Sequence, residues 1–265
     1  MDAYDDLATA RCPKKVVAVI PAHGRFPLLR VTIERLLKRN GVNQVVVVGD
    51  QHEVKAICRQ TGAHYVEFKN RPLGRKWNWG FHTARDMKPD ACLFVGSSDW
   101  ISDTWIPDIL PLTDEYDLIG KPDFYLLDIG PGNTLRACHW PGYGDHRPAR
   151  KYEPIGIGRV ISARMLDEIK WMPFDPAADN SMDWQMYQKV LKAGGKVHLV
   201  TDESLRSLSI STYQWVNKHK FDEHHSGRLT SRIIEDPEAF ARTHFPEALT
   251  LFNENKTSVH IPLGS

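Results

Sequence analysis

Polar residues gather where the apolar runs of this chain stop. The run Ala91-Cys92-Leu93-Phe94-Val95-Gly96 ends in Ser97-Ser98-Asp99-Trp100, residues 16–20 end in Pro21-Ala22-His23-Gly24-Arg25, and residues 45–48 end in Gly49-Asp50. A fourth cluster, Leu73-Gly74-Arg75-Lys76-Trp77-Asn78, stands before a helical pattern. Open α/β sheets carry their ligands at strand ends of this kind. Two small hydroxyls and one carboxylate at such an end suit a metal or phosphate site, and they equally suit a plain chain reversal.

Other cradles are missing from the sequence. No Gly-x-x-x-x-Gly-Lys-Ser/Thr occurs, and Gly156-Ile157-Gly158-Arg159-Val160-Ile161 lacks the third glycine of a dinucleotide fingerprint. His-Glu-x-x-His and Gly-x-Ser-x-Gly are absent as well. Phosphate-loop hydrolases, nicotinamide enzymes, zinc peptidases and serine hydrolases therefore have no support.

The elements that must position the clusters are read from periodicity. Val16-Val17-Ala18-Val19-Ile20 is a strand, and Leu29, Ile33, Leu36 and Leu37 recur at helical spacing, with Pro27 in the first turn and Gly41 at the end. Residues 45–48 form a second strand, Val54, Ile57 and Cys58 mark a short helix stopped by Gly62, and residues 64–68 form a small strand. Trp77, Phe81 and Ala84 share one face of a helix over 77–87 that leads into the strand before Asp99. Strands apolar on both faces, alternating with amphipathic helices, predict a parallel, doubly covered sheet over residues 14–100.

Beyond about residue 120 the texture changes to turns and aromatics. Gly130-Pro131-Gly132-Asn133, Trp140-Pro141-Gly142-Tyr143-Gly144 and Pro154-Ile155-Gly156-Ile157-Gly158-Arg159 read as loops, where specificity usually lives. A helix over 181–193 follows, with Met182, Met186 and Val190 in register and Gly194-Gly195 at its end, and then a strand over 196–200. The chain shows no internal repeat, low-complexity tract or free linker.

Composition bounds the partners. In 265 residues, 34 Lys and Arg stand against 33 Asp and Glu, so the chain as a whole makes no electrostatic case for a polyanionic partner. Cys12, Cys58, Cys92 and Cys138 lie far apart and form no Cys-x-x-Cys pair, which predicts reduced thiols. The N-terminus carries Asp2, Asp5 and Asp6 without a basic-then-apolar leader, and no apolar stretch approaches the ~20 residues that span a bilayer. A cytoplasmic protein with no membrane span is expected.

In order and spacing, the clusters at residues 21–25, Asp50, 73–78 and 97–99 resemble the nucleotide half of a GT-A glycosyltransferase, closest to the family 2 type. The resemblance covers residues 14–100 well and 156–200 moderately. It implies an α/β, Rossmann-like, mostly parallel central sheet flanked by helices. It also implies one domain, with 14–120 as the nucleotide-sugar half and 121–265 as a loop-rich, acceptor-binding and catalytic half.

The family's strand-end acidic motif is usually Asp-x-Asp, whose last carboxylate holds a divalent metal on the diphosphate of a nucleotide sugar. Here it stands as Ser97-Ser98-Asp99, which leaves Asp99 as the metal ligand. Mg²⁺ tolerates one carboxylate plus substrate phosphates, and Mn²⁺ takes the same oxygens. Asp50 and the turn Pro21, Ala22, His23 and Arg25 are placed by the resemblance against the donor nucleoside, and Ser97 and Ser98 fall in the same donor site. Arg75 and Lys76 could meet its phosphates or form an exposed basic helix start. A later histidine often completes the metal site, and His219, His224 and His225 are on offer, although most such histidines are solvated.

In Asn180-Ser181-Met182-Asp183-Trp184 the resemblance makes Asp183 the general base of an inverting transfer. The helix macrodipole alone would also favour an acid there. Gly156, Gly158 and Arg159 fall on a glycine-containing loop near donor or acceptor, and Trp140 and Tyr143 suit a stacking platform for an acceptor. The acceptor is a glycan, a small molecule or, since residues 136–152 interleave Arg136, His139, His146, Arg147, Arg150 and Lys151 with aromatics, a modified nucleic acid. Two further readings stand beside a UDP-sugar-type transferase: a nucleotidyltransferase of the same fold, and a binding protein for nucleic acid or glycan that keeps the fold without the chemistry.

Overall fold

The computed structural model describes residues 14–130, 134–212, 221 and 231–258. Strand β1 (Val16–Pro21) is the centre of the molecule, its apolar residues alternating between two cores. Parallel to it run β2 (Gln44–Gly49) and β4 (Ala91–Phe94), and β3 (His64–Glu67) adds outside β2. The far side is built from later sequence: β9 (Val160–Ser162) pairs antiparallel with both β4 and β6 (Leu118–Gly120), and β10 (Val197–Leu199) pairs parallel with β6. The resulting 7-stranded sheet has the order β10-β6-β9-β4-β1-β2-β3. It is the mostly parallel, helix-flanked sheet that the resemblance implies.

Successive residues of a strand point to opposite faces. Val16, Ala18 and Ile20 therefore share a core with Leu29, Ile33 and Leu36 of α1 (Phe26–Lys38), Val54 and Ile57 of α2 (His52–Thr61) and Trp105 and Ile106 of α4 (Trp105–Ile109). Val17 and Val19 meet Trp77, Phe81 and Ala84 of α3 (Leu73–Asp86), in a core shared with α5 (Ala163–Glu168) and α6 (Met182–Lys192). Helix α3 begins at Leu73, so Arg75 and Lys76 lie in its first turn and not ahead of it. Pro72 at the N-cap starts the helix without a side-chain cap, which hid the boundary.

The second half adds β7 (Phe124–Gly130) and β8 (Thr134–Trp140), paired antiparallel from Phe124↔Trp140 to Gly130↔Thr134. With β5 (Asp99–Ile101), β11 (Ser207–Thr212) and β12 (Arg232–Ile234) they make a second sheet of order β12-β8-β7-β11-β5. Gly130 ends β7, and Pro131, Gly132 and Asn133 lie outside the described residues.

Helices α7 (Pro237–His244) and α8 (Pro246–Ser258) cover one face of this sheet, with Phe245 and Phe252 packed on Leu127, Leu208 and Ile210. The buried Arg35 of α1 joins the layers, pairing with Asp103 at 2.7 Å and Glu247 at 2.5 Å. Cys58, Cys92 and Cys138 are buried, free thiols. No helix among the described residues is long and apolar enough to cross a membrane.

Candidate active site

Parallel strands bring the ends of β1, β2 and β4 to one edge of the first sheet. At β1, the Ala22 N–H donates to the Val48 carbonyl (2.8 Å), and His23 Nδ1 lies 3.9 Å from Asp50 Oδ1. The other Asp50 oxygen accepts from the Asn70 N–H (3.1 Å). Pro21 closes β1 beside them.

Lys76 belongs to this corner from beneath. It is only 1% exposed, and its ammonium donates to the Ala22 carbonyl (2.6 Å) and to Asn70 Oδ1 (2.9 Å). Burial pulls its pKa down to about 8, against the opposing pull of Asp50. Arg75, its neighbour, is exposed and makes no polar contact among the described residues. The two basic residues therefore part company, one bracing the β1 turn and the other in solvent.

The β4 end is tied down from both sheets. Arg25, in the left-handed region at φ 53°, donates to Ser98 Oγ (2.8 Å), and the Ser98 carbonyl accepts from the Ile210 N–H (2.9 Å). Ser97 and Ser98 are buried. Asp99 opens β5 opposite Ser209 of β11. Its Oδ2 accepts from the Gly96 N–H (2.9 Å) and its Oδ1 from Ser209 Oγ (3.0 Å). Burial raises the Asp99 carboxyl pKa, while Ser209, Gly96 and Arg25 work in the other direction.

Asp99 faces a cavity of about 540 Å³ that Asp183 also lines. Trp77, Phe94 and Phe174 supply an aromatic wall, and Trp140 and Tyr143 another. Asp183 occupies the first turn of α6, after Ser181 in the left-handed region at φ 56°, and its side chain is 45% exposed.

Gly156 and Arg159 hold Asp183 in place. A Cβ on residue 156 would stand 2.6 Å from Asp183 Oδ1, so only glycine leaves room for that carboxylate. The Arg159 guanidinium is 1% exposed and donates to the carbonyls of Asp183 (2.8 Å), Ile155 (2.7 Å) and Pro154. It lies 3.8 Å from Asp183 Oδ1 and 3.6 Å from Glu153 Oε1. Gly158 serves packing instead: at φ +76°, a Cβ there would stand 2.7 Å from Ile101, and its carbonyl accepts from Trp105 Nε1 (2.9 Å). Gly158 does not line the cavity.

The sequence reading passed over Glu153 and Ser209. Glu153 is wholly buried and takes Arg150 in a two-bond clasp at 2.5 and 2.6 Å, and Arg150 in turn lies 3.9 Å over the Tyr143 ring. Glu153 falls one residue past the basic and aromatic segment, and Ser209 is distant in sequence from Asp99, so neither shows in a linear pattern. Among the described residues, no group of three or more His, Cys, Asp or Glu is placed to hold a metal. His219, His224 and His225 lie outside the described residues.

No family model matches the chain, and no curated protein matches it. Solved structures do. A mannosyltransferase from Pyrobaculum calidifontis, in complex with GDP-Man and Mn²⁺, superposes with a TM-score of 0.51 and 11% identity over 79% of this chain and 59% of its own. TarS from S. aureus, residues 1–349, superposes with a TM-score of 0.50 and 14% identity over 74% of this chain and 60% of its own. This chain has the GT-A glycosyltransferase fold. Glucosyl-3-phosphoglycerate synthase from Mycobacterium tuberculosis is similar at a TM-score of 0.47 and 14% identity, over 71% of this chain and 70% of its own. Of the strand-end clusters, the β4 end reaches the cavity through Gly96 and Asp99.

Proposed function

We propose that the chain is a glycosyltransferase that moves a sugar from a nucleoside diphosphate donor to an acceptor hydroxyl, with inversion. The observation that carries this is the meeting of Asp99 and Asp183, from opposite halves of the chain, in one cavity of about 540 Å³. One carboxylate stands at a strand-end turn beside the guanidinium of Arg25, and the other on a separate helix start. That division suits a reaction with a departing anion at one end and a proton to remove at the other.

A divalent metal fits at Asp99. Each carboxylate oxygen accepts one hydrogen bond, from Gly96 or Ser209, and keeps a further lone pair. Mg²⁺ and Mn²⁺ are commonly held by one or two carboxylates plus substrate phosphates. A metal bound there would offset charge on the leaving diphosphate.

The remaining roles belong to the chain's own groups. Asp50, His23, Ala22 and Pro21 form the corner for the donor nucleoside, with Lys76 and Asn70 bracing it from below. Asp183 takes the proton of the acceptor hydroxyl as the oxygen attacks the sugar carbon on the face opposite the diphosphate. Trp77, Phe94, Phe174 and Trp140 keep water away from that carbon. Arg159 fixes the backbone that carries Asp183.

Thermal stabilisation by nucleoside diphosphates, each with and without Mn²⁺ or Mg²⁺, tests the donor half of this reading, because a ligand that prefers the folded state raises the melting temperature. A diphosphate-selective, metal-dependent rise is expected. Absence of any rise across the four common bases would contradict it.

A further inference from the structure

The basic residues of segment 136–152 do not form one track. Arg136 pairs with Asp128 at 2.7 Å, His139 with Asp123 at 2.7 Å, Lys151 with Asp145 at 2.8 Å and Arg150 with Glu153 at 2.5 Å. His139 stacks on Tyr125, whose ring also meets Phe240 of α7, whereas the alternating neighbours Phe124 and Leu126 line the cavity. Of the segment's arginines, Arg147 alone has no acidic partner among the described residues. It is exposed, lines the cavity and lies 5.8 Å over the Tyr143 ring.

A chain of contacts shows which end of the cavity Arg147 serves. Asp183 meets Arg159 at 3.8 Å, Arg159 meets Glu153 at 3.6 Å, Glu153 clasps Arg150, and Arg150 and Arg147 share the Tyr143 ring. Arg25, in contrast, is the cation at the Asp99 end. Arg147 therefore stands on the proposed base's side of the cavity, its ring partner Tyr143 sharing the surroundings of Asp183 and Glu153. Arg150 is already neutralised by a buried carboxylate, so the net positive charge at this mouth is one guanidinium beside an aromatic wall.

Resting on the transferase reading, we propose that the acceptor is a small molecule carrying an oxyanion, phosphate or carboxylate, which Arg147 binds at the cavity mouth while the acceptor hydroxyl reaches Asp183. A guanidinium fork matches either oxyanion with two parallel hydrogen bonds. A single arginine without an acidic partner among the described residues, at the mouth of the cavity, suits one anionic group. A polynucleotide would ask for a row of cations along its backbone.

The test is a titration of the full chain, loaded with nucleoside diphosphate and Mn²⁺, with inorganic phosphate and separately with acetate, for wild type and Arg147→Ala. Saturable binding of at least one anion to wild type is expected, weakened tenfold or more in Arg147→Ala while nucleotide affinity shifts less than twofold. Arg147→Lys should recover only part of it, since an ammonium lacks the fork. No anion binding in the loaded wild type, or equal binding to Arg147→Ala, overturns the proposal. So does an oligonucleotide that binds with steep salt dependence where both small anions fail. Nucleotide binding in the same samples separates the two ideas: nucleotide bound without anion leaves the transferase reading standing and removes this one, whereas no nucleotide binding removes both.

Discussion

Gly156 and Asp183 are fitted to each other: a methyl group on residue 156 would stand 2.6 Å from the Asp183 carboxylate oxygen. Residue 156 lies in the loop before β9 and Asp183 in the first turn of α6, and Arg159 closes the pair by binding the main chain of both segments. Glycine is demanded here by a side chain, not by its own backbone.

Gly156→Ala should therefore act on chemistry more than on folding. Asp183 is half-exposed and can swing away, so the fold survives while the carboxylate leaves its position. A misplacement of about 1 Å costs roughly 100-fold in rate. Steady-state turnover with a melting curve checks this; full activity in the alanine variant would show that the carboxylate's position is unimportant.

Arg159→Leu should be costly to the fold. It removes the second cationic partner of the buried Glu153 carboxylate and takes one donor from each of three carbonyls. Breaking a buried charge network of this kind costs about 3–5 kcal/mol. Urea unfolding measures it, and a loss below about 1 kcal/mol would mean the guanidinium is dispensable.

Much of the first sheet is legible in the sequence because residues 16–20, 45–48 and 91–95 are unbroken apolar runs bounded by turn residues, and their parallel order brings the strand-end clusters to one edge. Strand β9 is not legible, since three residues carry no period and nothing local announces an antiparallel strand inside a parallel sheet. Nor is the second sheet: β7, with Leu126 and Leu127 adjacent, breaks alternation, and its Gly and Pro neighbours read as loop. The site shows the same limit. Asp99 stands out at its strand end, but the Ser209 that orients it comes from a strand paired late in the chain. Lys76 reads as a solvated helix start, and only the packing of α3 on β1 reveals its burial.

Lys76 makes stability depend on alkaline pH. Its folded pKa of about 8 lies below the ordinary 10.5, so between these values the unfolded chain binds the proton and the folded one does not. Stability contributed by this group therefore rises with pH through that window, by at most about 3 kcal/mol. Comparing wild type with Lys76→Met by urea unfolding from pH 7 to 10 isolates it: the wild type should gain on the variant as pH rises. A constant difference would place the Lys76 pKa at its ordinary value.

Asp99→Asn should abolish the metal-dependent part of nucleotide binding, because an amide is a far weaker ligand for Mg²⁺ or Mn²⁺. Ser209→Ala removes one hydrogen bond from the same carboxylate and should cost about 1 kcal/mol, a several-fold loss in affinity. Calorimetry with and without Mn²⁺ reads both. Metal-dependent binding that survives in Asp99→Asn would move the metal site elsewhere.

The central claim is that Asp183 removes the acceptor's proton, and a single comparison tests it: acceptor-dependent release of nucleoside diphosphate by wild type and Asp183→Asn, alongside nucleotide affinity in both. The account predicts a fall of about 100-fold or more in acceptor-dependent turnover, within the range a general base contributes, with nucleotide affinity nearly unchanged. Wild-type turnover in Asp183→Asn would contradict it.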